Sequence, residues 1–317
     1  MTTPGKYRHL NQSSTPAGHF CVLAIDHRDN LWQSLAQYAP VTDNSFTAFK
    51  QQVMTHLTAS ASAVLTDPEY GLGPAISTGT LGGQMGLLLP LEVTDYDLHP
   101  SRRAIRMIPD WSVEKIKRVG GTGAKLLFSY HPDAPDAATK RDQVSQAVDE
   151  CARWDIPLFC EPIAHSRDPQ RGLSNSELRQ VVVESARTFS DLGIDILKTE
   201  FPLDARQSSD EGEWRSALAD LDGASKVPWA LLSAGTTYDI FKRQVELACA
   251  AGASGVIVGR AVWAEAVVLQ GEARDQFLAT TGAARMRELA EICARSGRSW
   301  RERTPAPQLE RGWHAAY

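Results

Sequence analysis

Along the chain, short runs in which nearly every position is apolar alternate with longer stretches in which apolar residues recur every three or four positions. The short runs predict eight strands: Phe20–Asp26, Ala63–Thr66, Gly86–Pro90, Ala124–Ser129, Pro157–Glu161, Asp195–Lys198, Trp229–Ser233 and Gly255–Gly259. They are enriched in Val, Ile and Leu on both faces, as strands of a buried parallel sheet are. The longer stretches predict amphipathic helices. Val144, Ala147, Val148 and Cys151 share one helical face, and Leu178, Val181, Val182, Ser185 and Phe189 share another. Ser174-x-x-Glu177 supplies a capping box to open the second. Eight alternations without a break in composition predict a single closed (β/α)8 barrel of the TIM type over residues 19–303. Residues 1–18 are predicted to be a loose lead-in, and 304–317 a proline-interrupted tail behind a C-terminal helix carrying Met286, Leu289, Ala290 and Cys293. The glycine-rich segment from Gly71 to Gly86 is predicted as a long loop after the second strand.

A length of 317 residues suits one barrel with extensions. Hydrophobic content of 43% and charged content of 22% are those of a soluble globular chain, and a net charge of −5 argues against nucleic acid as the main partner. No apolar run approaches the roughly 20 residues of a membrane span. The N-terminus lacks the basic-then-apolar order of a signal peptide, so a cytoplasmic protein without membrane partners is expected. Cys21, Cys151, Cys160, Cys249 and Cys293 are scattered with no C-x-x-C pair, and read as reduced core residues.

In such barrels the reacting groups stand where strands end and loops begin. The tips here offer Asp26-His27-Arg28, Asp67-Pro68-Glu69, Lys125, Glu161, Lys198-Thr199-Glu200, Ser233-Ala234-Gly235 and Gly259-Arg260. Lys198 shares the inner face with Ile196, and a lysine buried among apolar residues is driven toward its neutral, nucleophilic form. Lys125, two strands away, adds a cation at the same mouth, and Glu161 between them is placed to move protons. The loops after the seventh and eighth strands carry small residues that let backbone N–H groups approach an anion. Ser233, Gly235, Gly259 and Arg260 are therefore the candidate phosphate site. Together these suggest a Schiff base with a phosphorylated ketone. Asp26 is placed to position a substrate hydroxyl, while His27 and Arg28 are candidates for a second anionic group. Glu69 and Arg103 read as solvated loop charges or members of structural ion pairs. A competing chemistry would use His27, His131 and His165 with Glu161 as metal ligands, although their spacing matches no familiar ligand pattern.

The motifs AIDHR (24–28), LTDPEYGL (65–72), GAKLLFSYH (123–131), PLFCEP (157–162), DILKTEFP (195–202), LLSAG (231–235) and GASGVIVGRAVWAEAV (252–267) resemble the class I tagatose 1,6-bisphosphate aldolases and the similar sulfofructose phosphate aldolases. The resemblance runs from about Cys21 to Arg303. It implies Lys198 as the Schiff-base lysine of a K-x-E motif, Glu161 as the proton-transfer carboxylate and Lys125 as a second active-site lysine. It also implies Asp26 as the aspartate after the first strand, and Ser233, Gly235, Gly259 and Arg260 as phosphate-binding positions. The implied activity is cofactor-free and metal-free retro-aldol cleavage of a ketose 1-phosphate, foremost tagatose 1,6-bisphosphate, and a homo-oligomer is expected. Sulfofructose 1-phosphate is the alternative substrate, and a metal-dependent aldolase or a non-catalytic phosphosugar sensor are remoter ones. One departure stands out: the family reads Asp-Gln-Arg after the first strand, and this chain reads Asp26-His27-Arg28.

Overall fold

The computed structural model describes residues 2–94, 96–315 and 317. Eight parallel strands close in sequence order into one barrel: β1 (Phe20–Ile25), β2 (Ala63–Thr66), β3 (Gly86–Pro90), β4 (Gly123–Tyr130), β5 (Leu158–Ala164), β6 (Ile196–Thr199), β7 (Trp229–Leu231) and β8 (Gly255–Val258). Each expected strand is present, with ends displaced by a few residues. The pairing of β1 with β8, Phe20 opposite Gly255 and Leu23 opposite Val258, makes the closure.

Alternation along the strands sorts side chains into two cores. Phe20, Val22, Ala24, Ala63, Leu65, Leu88, Phe159, Ile196, Ala230 and Ile257 fill the barrel interior. Cys21, Leu23, Ile25, Val64, Leu126, Cys160, Leu197 and Val258 point outward into the layer shared with the helices. The helix Asn175–Asp191 opens with the expected capping box, in which Ser174 accepts from the Glu177 N–H. A long helix at Ala283–Ser296 buries Met286, Leu289, Ile292 and Cys293 against the barrel. All five cysteines are free and buried.

Two expectations are corrected. The lead-in is not loose: Pro4–Ser13 is an α-helix opened by Thr3, whose side chain accepts from the Lys6 N–H. It lies beneath the barrel, where Leu10 joins the interior core, Tyr7 packs edge-on against Trp300 at 5.0 Å, and Lys6 pairs with Asp195 at 2.8 Å. The segment after β2 is also more ordered than a long loop. A π-helical turn at Pro68–Leu72 runs into a short helix at Gly73–Ser77, because Asp67 accepts from the N–H groups of Glu69 and Tyr70 and starts the turn.

Candidate active site

The inward-facing residues at the C-terminal strand ends line a cavity of about 250 Å³. Parity places them there: Asp26 follows Ala24, Lys125 precedes Leu127 and Ser129, Glu161 follows Phe159, and Lys198 follows Ile196. Lys198 is 5% exposed, and its Nζ donates to Glu161 Oε2 at 2.8 Å. The same oxygen lies 3.3 Å from Lys125 Nζ, so Glu161 bridges both amines. Lys125 in turn donates to Asp26 Oδ2 at 2.9 Å and to Glu92 Oε1 at 2.6 Å.

Lys125 is thus surrounded by three carboxylates at 2% exposure. Burial alone would strip its proton, but Asp26, Glu92 and Glu161 together outweigh burial and raise its pKa well above the ordinary lysine value. It is a fixed ammonium. Asp26 responds in the opposite sense: burial favours its neutral form, yet the charges beside it, Lys125 foremost, hold its carboxyl well below the usual range. Glu92 is pushed upward, since burial at 1% exposure exceeds the pull of Lys125 and Arg28.

Glu92 was not among the sequence candidates. It lies two residues past the end of β3, on the inner face shared with Leu88 and Pro90, and extending the period-two pattern past Pro90 would have found it. Lys50, another residue not singled out, is fully buried on the helix Asp43–Leu57. It donates to the carbonyls of Ile25 and His27 at 2.8 and 2.6 Å and to Asp67 Oδ2 at 2.5 Å, and so clamps the backbone that carries Asp26.

The strand-seven and strand-eight residues stand on the far side of the same mouth. Ser233, Gly259 and Arg260 line the cavity with Lys198. Gly235 sits just outside it, in an adjoining cavity of about 510 Å³ that shares Glu200, Leu232, Ser233 and Ala234. Ala234 (φ 46°) and Gly235 (φ 76°) are consecutive left-handed residues, a backbone turn of the kind that gathers N–H groups for an anion. Arg260 lies across that turn: a methyl group on Gly235 would come within 3.6 Å of its guanidinium.

The residues expected for the distal substrate end are separated by the structure. His27 lines the cavity with its ring edge-on to Trp263 at 5.2 Å, and burial pushes its pKa down to about 3, so it is a neutral imidazole. Arg28 is buried and turned away from the cavity lining, its guanidinium donating to the Glu92 carbonyl at 2.7 Å. Arg28 is therefore a brace for the Glu92 segment. Arg103, read from sequence as a loop charge, lines the cavity instead, together with Thr94 and Tyr96. Glu200 also faces in. It accepts from the Ala164 N–H at 2.8 Å, and burial lifts its pKa to about 7.

The ligand set imagined for a metal is not assembled. His131 and His165 stand with ring centres 6.0 Å apart, but neither lines the cavity that holds His27 and Glu161. Among the described residues, no helix is long and apolar enough to cross a membrane.

Both the sequence of this chain and its closed barrel have counterparts among known proteins. The chain belongs to the DeoC/LacD family of aldolases, whose sequence profile matches residues 20–265, and it is accordingly a carbon–carbon lyase. It is 33% identical, over 96% of its length and 99% of the relative's, to tagatose 1,6-diphosphate aldolase 2 of Streptococcus agalactiae serotype III (strain NEM316). It is 32% identical to tagatose 1,6-diphosphate aldolase 1 of Streptococcus pyogenes serotype M1, over 96% of this chain and all of that one. The fold matches the crystal structure of an archaeal fructose 1,6-bisphosphate aldolase with a TM-score of 0.61 at 16% identity, covering 91% of this chain and 98% of that one. It also matches Cgl0159 from Corynebacterium glutamicum with a TM-score of 0.63 at 16% identity, covering 93% and 99%.

Proposed function

We propose that the protein is an imine-forming aldolase that cleaves a ketose 1-phosphate, with tagatose 1,6-bisphosphate as the favoured substrate. The observation that carries this reading is Lys198 Nζ, buried at the mouth of the barrel and 2.8 Å from a glutamate oxygen that a second lysine also holds. The names of the relatives, near-complete in coverage, favour the tagatose bisphosphate over a sulfosugar.

In this mechanism Glu161 takes a proton from the Lys198 amine that it holds, the freed amine adds to the C2 carbonyl, and that proton leaves with the carbinolamine hydroxyl as water, giving a protonated imine and restoring the carboxylate. Glu161 accepts the proton of the C4 hydroxyl. The C3–C4 bond then breaks, its electron pair moves into the imine to form an enamine, and glyceraldehyde 3-phosphate departs. Glu161 passes that proton to the enamine at C3, and water hydrolyses the resulting protonated imine, freeing dihydroxyacetone phosphate and the protonated lysine. Ser233, Gly235, Gly259 and Arg260 anchor the C1 phosphate and so hold C2 near Lys198. The fixed ammonium of Lys125 keeps Glu161 and Asp26 aligned beneath the substrate. No cofactor enters this scheme, and its turnover is indifferent to chelators.

The test is borohydride reduction in the presence of dihydroxyacetone phosphate, followed by mass spectrometry of the labelled peptide, with tagatose 1,6-bisphosphate and sulfofructose 1-phosphate cleavage assayed side by side. The adduct is expected on Lys198. Lys198→Ala is expected to lose the adduct and to lower kcat by more than about 10⁴-fold, as loss of a nucleophile does. Turnover near that of the unsubstituted enzyme, or an adduct on another side chain, would remove the mechanism.

A further inference from the structure

The charges around the cavity fall into two groups. Deep in the barrel, Lys125 and Lys198 are matched by Asp26, Glu92 and Glu161. Nearer the opening, Arg260 and Arg103 line the same cavity, and neither is joined to a carboxylate by an ion pair among the described residues. Arg260 stands at the end of β8, and Arg103 lies on the connection between β3 and β4. In a ring ordered β1 to β8 those positions face each other across the mouth. Two guanidiniums on opposite sides of one cavity, with the lysines between them, describe a ligand with an anionic group at each end and a reactive carbonyl along the chain that joins them.

We propose that Arg103 binds the distal anionic group of an open-chain ketose whose C1 phosphate is held by Arg260 and the turn after β7. This rests on the imine-forming reading and assigns the specificity of its far end. The local geometry suits the task. The Arg103 Nε donates to the Leu98 carbonyl at 2.7 Å, and its guanidinium lies over the Tyr96 ring at 5.0 Å. These contacts fix the plane of the fork, so less side-chain freedom is lost when an oxyanion binds, and a planar fork matches two oxygens of a phosphate or sulfonate. The two residues that sequence order suggested for this role lack the means. Arg28 is committed to the Glu92 carbonyl outside the cavity lining, and His27 carries no charge at neutral pH.

The test runs the reaction in the condensing direction, with dihydroxyacetone phosphate and either glyceraldehyde 3-phosphate or glyceraldehyde as acceptor. Arg103→Gln is expected to lower kcat/KM for the phosphorylated aldehyde by about 30- to 300-fold, the value of a charge-assisted anion contact, chiefly through KM. With unphosphorylated glyceraldehyde the same variant should stay within about twofold of the parent, because the lost contact had no partner there. Arg103→Lys, which keeps the charge and loses the fork, should recover about a tenth of the lost efficiency or more. The borohydride-trapped adduct on Lys198 is expected to form in all three proteins. An intact adduct with equal losses for both aldehydes, or with no loss for the phosphorylated one, overturns the role of Arg103 alone. Absence of adduct in the unsubstituted protein overturns the imine reading and this inference with it. Should Arg103→Gln fail to form the adduct, Arg103→Lys decides: selective loss with the phosphorylated aldehyde supports the role, and uniform loss overturns it.

Discussion

Glu200 offers a quantitative check on the electrostatics of the barrel mouth. Its carboxyl accepts from the Ala164 N–H, and burial raises its pKa from 4.5 to about 7, with Glu161 adding to the rise. A group raised in the folded state holds a proton that the unfolded chain releases, so stability falls as pH climbs between those two values. At about 1.4 kcal/mol per pH unit, the interval is worth about 3 kcal/mol of destabilisation at pH 8, against less than about 1 kcal/mol at pH 5. Glu200→Gln keeps an oxygen for the Ala164 N–H and removes the charge. Its effect is therefore predicted to be near zero at pH 5 and a gain approaching about 3 kcal/mol at pH 8. Urea unfolding of both proteins at the two pH values reads the difference directly, as a shift in midpoint at constant slope. A gap that does not widen from pH 5 to pH 8, or one that widens in favour of the parent, would refute the reasoning.

Two further perturbations address the site. Lys125→Met leaves Asp26, Glu92 and Glu161 together without their shared cation, and breaking a buried ion cluster in this way costs about 3–5 kcal/mol. The variant should unfold at a markedly lower urea midpoint near neutral pH and recover part of the difference in mild acid, where the carboxylates take up protons; a loss that does not shrink on acidification would count against the charge argument. Gly259→Ala places a methyl group 2.9 Å from the Ala24 carbonyl oxygen and 3.0 Å from His27 Cε1. The ring and the turn must shift, and kcat/KM is expected to fall by about 10- to 100-fold, as small misplacements at an active site do; activity within twofold would show that the mouth tolerates the change.

The barrel was legible because its signal repeats. Every strand is a short apolar run, and the parity that puts Ile196 inside also puts Lys198 inside, while Cys160 beside Glu161 faces the helices. At the strand ends the parity is less simple. Glu92 continues the inner face of β3 past its last ladder residue, whereas Arg28 lies beyond the point where the chain leaves β1 and alternation no longer holds. Arg103 sits on an irregular connection, where spacing says nothing about which side chain meets the cavity. The N-terminal helix was hidden by its polarity, although Thr3-Pro4 is an N-cap followed by proline at the first helical position. Its apolar residues find partners far away in sequence: Leu10 in the barrel interior, and Tyr7 against Trp300, nearly three hundred positions on.

That long-range contact has a consequence for how the molecule is made. The Trp300 indole donates to Ser14 at 2.9 Å, its backbone N–H reaches the Gly18 carbonyl, and Arg301 lies over the Trp300 ring while donating to Pro16 and Asn11. The stopper under the cylinder is thus assembled from segments at opposite ends of translation. A nascent chain can lay down its strands one after another, but the plug cannot seat until residue 300 has left the ribosome, and until then the inner core beneath Lys198 stays open to water from below.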